Sequence, residues 1–69
     1  MRIGQRIRLT TSTTPQGNDM SSLADLHTNR VPGTIQQREE PEGWYLVQFD
    51  TLPNGDRLNV HTSMMTPYR

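Results

Sequence analysis

The chain has 69 residues, 30% of them apolar, no cysteine, and seven acidic residues against seven basic ones. So short a chain has room for one domain, residues 1–69, that buries only about 60% of its unfolded surface; disulfides and thiolate metal sites are excluded, and no apolar run nears the roughly 20 residues that span a bilayer. Zero net charge excludes nucleic-acid binding through an overall positive field and leaves only a local patch.

All seven basic residues are arginine, the side chain that makes planar, two-pronged contacts with carboxylate, phosphate or base edges. The start, Met1-Arg2-Ile3-Gly4, has no signal-peptide apolar region, so the expectation is a soluble, cytoplasmic protein without membrane contact. The low apolar content makes self-association one way to complete burial.

Residues 2–10 alternate, with Ile3, Ile7 and Leu9 on one side and Arg2, Arg6, Arg8 and Thr10 on the other. Period two with branched side chains predicts a half-buried first strand, with Gly4 at a bulge or close approach. Residues 11–30 break the pattern. The polar run Thr10–Pro15 and the turn chemistry of Gln16-Gly17-Asn18-Asp19 predict a long, partly ordered loop. Inside it, Ser21–His27 predicts a single helical turn capped by Ser21 or Asp19, with Met20, Leu23 and Leu26 near one side.

Pro32-Gly33 turns the chain into a second strand over 31–38, with Val31, Gly33 and Ile35 sharing a face. Glu39-Glu40-Pro41-Glu42-Gly43 is an acidic turn. Residues 44–50 form the most hydrophobic run, a central third strand with Tyr45, Val47 and Phe49 on one side and Trp44 and Leu46 on the other. Two apolar faces imply a second cover, either the long loop or another subunit. Asn54-Gly55 predicts a tight hairpin into a fourth strand, residues 57–61, with Leu58 and Val60 inward. A short 3₁₀ turn over Thr62–Met65 and a brief strand over 66–69 complete the chain. Five short strands with close turns predict an all-β, five-stranded SH3-like barrel.

The segments Gly4-x-Arg6-Ile7-Arg8-Leu9, Pro32-Gly33-Thr34-Ile35, Leu46-Val47-Gln48-Phe49-Asp50 and Gly55-x-x-Leu58-x-Val60 resemble SH3-like barrels. They look most like the small barrel domains of unknown function in phage and plasmid proteins. That resemblance covers nearly the whole chain outside the 11–30 insert and implies a barrel more than a particular role. A weaker resemblance, through the Gly-x-Arg-x-Arg strand and Pro41-Glu42-Gly43-Trp44-Tyr45, is to the plasmid-borne type II dihydrofolate reductases, which form a tetramer around a central pore. Leu58-Asn59-Val60-His61 stands where that family has Val-Gln-Ile-Tyr, and the chain has no lysine, so the groups expected to hold that family's substrates are missing.

Two surfaces are candidates for binding. Arg2, Arg6 and Arg8 would lie about 7 Å apart along one strand face and could grip phosphates. The bland alternative is cross-strand pairing with Glu39, Glu40 or Asp50 on a solvated sheet. Trp44, on the face opposite Tyr45, is the better surface anchor, with Leu23, Leu26, Arg6 and Arg8 completing a protein-binding surface. His27 and His61, even with Asp25 and Asp50, lack metal-ligand spacing. No nucleophile–base motif or glycine-rich phosphate loop occurs, and a barrel this small is filled by side chains. The expectation is therefore a non-enzymatic module without cofactor or metal. Its foremost partner is a protein met through Trp44 and the loop, and its alternative partner is nucleic acid met through the arginine stripe. A reductase-like homotetramer comes last.

Overall fold

The computed structural model describes residues 1–68. Its strands are β1 (Arg6–Leu9), β2 (Gly33–Glu39), β3 (Trp44–Phe49), β4 (Arg57–His61) and β5 (Met65–Pro67). A helix, α1 (Ser21–Thr28), follows β1, and a 3₁₀ turn (Thr62–Met64) joins β4 to β5. All pairings are antiparallel, in the order β4-β3-β2-β1-β5. The domain is thus mostly strand in a single sheet; β5 returns to β1, and no pairing between β4 and β5 closes the sheet among the described residues.

Alternation decides what each strand buries. Ile7 and Leu9 of β1, Ile35 of β2, Tyr45, Val47 and Phe49 of β3, and Val60 of β4 turn to one core, joined by Met64 and Met65. Leu58 packs against that core only partly buried. A β-carbon on Gly33 would lie 2.7 Å from the Val47 Cγ1 and 3.1 Å from the Phe49 ring. Glycine is thus required for the strands to approach here.

The first strand is shorter than its alternation predicts. Gly4 adopts a φ of +87°, and a turn in which the Gln5 amide donates to the Arg2 carbonyl (3.1 Å) takes Arg2 and Ile3 away from β2, while the Gly4 amide and the Gln5 carbonyl still bond to Ile35 (2.8 and 3.0 Å). Ile3, expected inside, is 63% exposed. The expected Asn54-Gly55 hairpin is instead a loop over 50–56 in which only Gly55 has positive φ, +98°. The Gln48 side chain organises it, accepting from the Gly55 amide (2.9 Å) and donating to the carbonyl of Pro53 (3.0 Å).

The 11–30 segment carries a β-bridge, turns and the helix α1. Thr13 and Asp19 bridge its first half, the Thr13 hydroxyl donating to the Asp19 carboxylate at 2.7 Å. Asp19 is therefore occupied and does not cap the helix; Met20 holds the N-cap position with no side-chain hydrogen bond. The helix runs two turns because Leu23 (fully buried) and Leu26 anchor it in the same core as Val47 and Phe49. The segment packs on the core side of the sheet and does not supply the cover expected for the Trp44–Leu46 face, whose side chains are half-buried.

The helix ends in a Schellman arrangement. The Arg30 amide donates to the His27 carbonyl (3.1 Å) and the Val31 amide to that of Leu26 (3.0 Å), while Leu26 and Val31 both join the core. Such an ending needs a left-handed residue, usually glycine. Here Arg30 holds it, at φ +54°, a conformation that costs a side-chain-bearing residue about 1–2 kcal/mol.

Candidate anion-binding cleft

The three arginines of the predicted stripe do not share one fate. Arg2 lies off the sheet in the turn before β1. Arg6 makes a two-pronged ion pair with Asp50 (2.8 and 2.6 Å) and also donates to the Thr34 hydroxyl at 2.8 Å. The pair raises the Arg6 pKa above its ordinary value through the hydrogen bond to Asp50, and the same hydrogen bond lowers that of Asp50. Both partners are nearly half exposed, so the pair contributes well under 1 kcal/mol.

Arg8, two residues on, faces an open cleft of about 580 Å³ lined by Arg8, Leu9, Thr10, His27, Arg30 and Tyr68. Three elements bring these side chains together. β1 alternation turns Arg8 outward beside the buried Leu9. The last turn of α1 supplies His27, and the left-handed residue after it supplies Arg30. β5 pairs with β1, and its extension puts Tyr68 alongside, the Tyr68 amide donating to the Arg6 carbonyl at 3.0 Å. Tyr68 is 46% exposed, so its ring is open to a ligand. No carboxylate belongs to the cleft's described lining.

Sequence reasoning found Arg8 but missed Arg30 and Tyr68 and set His27 aside. A basic residue following a helix is a legible signal; a left-handed arginine is not, because that position ordinarily announces itself as glycine.

A second cleft, about 430 Å³, lies at the β2–β3 turn among Arg38, Glu39, Glu40, Glu42, Trp44 and Tyr45. Trp44 is half-buried on the face opposite the core. It meets its cross-strand neighbour His61 edge-to-face, ring centroids 5.3 Å apart. Gly43 makes room for that ring, since a β-carbon there would sit 2.7 Å from the His61 Nε2. The His61 Nδ1 accepts from the Ser63 amide (3.1 Å), which fixes the ring at the start of the 3₁₀ turn. Leu23 and Leu26, expected to join Trp44 on a contact surface, are core residues instead. Of that expected surface Trp44, Arg6 and Arg8 stay accessible, Trp44 pairing with the last residue of β2 and Arg6 with its second.

Among the described residues no three His, Cys, Asp or Glu side chains converge as metal ligands, and no helix is long and apolar enough to cross a membrane. No family model, curated protein or solved structure matches the chain.

Proposed function

We propose that the chain is a non-enzymatic binding module of SH3-like type whose ligand is single-stranded nucleic acid, held at the Arg8–Arg30 cleft. The SH3-like reading is supported by the strand order, with β5 returning to β1 after a 3₁₀ turn. The likeness to small barrels of phage and plasmid proteins favours a mobile-element setting.

One observation carries the ligand: Arg8 and Arg30 open with an exposed tyrosine onto one cleft whose described lining has no acid to neutralise them. Arginine supplies charge-assisted hydrogen bonds to phosphate, and an exposed aromatic supplies a stacking platform for a base. A duplex would need a longer cationic track than two arginines. The protein-partner reading loses ground because two of its apolar contacts, Leu23 and Leu26, hold the core together.

The test is fluorescence anisotropy with a labelled oligo-dT or oligo-U at 50 and 200 mM salt. Two phosphate contacts on a single strand give a log–log slope of about −1.4, hence about a sevenfold loss of affinity over that range. Salt-independent binding, or none at 50 mM, overturns the assignment.

A further inference from the structure

We infer that the cleft takes the end of a strand, a terminal nucleotide with its phosphate on Arg8 and Arg30 and its base on the Tyr68 ring; this rests on the nucleic-acid reading above and goes further. Three observations converge. The cleft, about 580 Å³, falls in the size range of small-ligand sites and suits one nucleotide unit better than a strand running through. Two arginines on one short lining bring more positive charge than a singly charged internal phosphodiester requires, and they match the extra charge of a terminal phosphate. Continuation of a strand along the sheet is opposed, because the far end of β2 carries Glu39 with Glu40 and Glu42 just beyond it, three acids against the one base Arg38. Seven residues of strand place that end roughly 20 Å away.

Arg30 is the informative residue. A side chain held in a left-handed conformation where glycine would be unstrained carries a local cost, and such strained positions gather at ligand sites. The left-handed turn is also what brings the Arg30 side chain to the cleft that Arg8 lines from β1. Arg30 is therefore assigned as a phosphate ligand and a specificity residue for strand ends.

The substitution Arg30→Gly separates this role from folding, because glycine relieves the strain while removing the charge. The full chain is titrated with a labelled hexanucleotide bearing either a 5′-phosphate, a 3′-phosphate or hydroxyls at both ends, with inorganic phosphate as competitor. The expected result is at least a tenfold preference for one phosphorylated end over the hydroxyl strand. Arg30→Gly and Arg8→Gln should abolish that preference and Tyr68→Ala reduce it. The Arg30→Gly protein should melt no lower than the parent. Equal affinity for all three strands overturns the inference and leaves the nucleic-acid reading standing, as does a preference that survives Arg30→Gly. Inorganic phosphate competing as well as the phosphorylated strand also overturns it, since Tyr68 would then contribute nothing. Binding of no strand defeats both.

Discussion

The two ends of strand β2 carry opposite electrostatics. Beside its first residues, Arg8 and Arg30 line a cleft with no described carboxylate; at its last residue and the turn beyond, Glu39, Glu40 and Glu42 flank Trp44. The net charge of zero is thus the sum of separated fields and not the mark of a neutral surface, and local fields govern association. That is why overall charge, a sound guide to whole-domain binding, understated the arginines here. The two ends are also built differently. The acidic end is one hairpin, local in sequence, while the cationic end is assembled from β1, the end of α1 and β5.

An assembled site depends on the packing that assembles it, so the largest effect belongs to the helix anchor. Leu23→Ala removes a fully buried side chain and should cost about 2–5 kcal/mol, read as a fall in the denaturant midpoint, with ligand binding lost as α1 detaches. Trp44→Ala, at the hairpin end, should cost less than half as much and leave nucleic-acid affinity within about twofold. If the two substitutions prove equally damaging to binding, the cleft does not hold the ligand.

Charge reversal sharpens the same contrast at smaller amplitude. Arg8→Glu combined with Arg30→Glu should weaken single-strand binding at least tenfold at low salt, about 1.4 kcal/mol. Glu39→Gln with Glu42→Gln should strengthen it by two- to threefold through the weakened opposing field. Both are read from anisotropy titrations. Equal responses at the two ends would show that only net charge matters.

Legibility in the sequence followed the same division. Strands β2, β3 and β4 lie within two residues of their expected bounds, because period two states directly which side chains are buried, and Tyr45, Val47, Phe49 and Val60 are buried as that pattern requires. Ile3 misled because a glycine at positive φ can rotate the chain off the sheet without altering the apolar pattern. The helix was readable as a tendency, but not its second turn, whose existence depends on Leu26 and Val31 meeting the core. The cleft was readable only through Arg8. Its other members come from residues 27, 30 and 68, and nothing in their spacing announces that they meet.

The smallest expected effect concerns Arg6, which stands one alternation from Arg8 yet is bound to Asp50 at the same end of the sheet. Asp50 has its pKa lowered from the ordinary 3.8 by the hydrogen bond from Arg6. A carboxyl depressed in the folded state adds stability that is fully present above pH 3.8 and is lost as the pH falls through the lower, folded value. The raised pKa of Arg6 acts only at strongly alkaline pH and leaves this acid window untouched. Since the pair is exposed, its loss should lower stability by well under 1 kcal/mol. Asp50→Asn should reproduce that loss at neutral pH and flatten the acid limb of the unfolding midpoint against pH. The same substitution removes the carboxylate that neutralises Arg6, two residues from Arg8, and leaves the guanidinium bonded to Thr34 alone, so single-strand affinity at pH 7 should rise by about two- to threefold. Stability and binding then move in opposite directions, an outcome that a purely structural role for the pair does not produce.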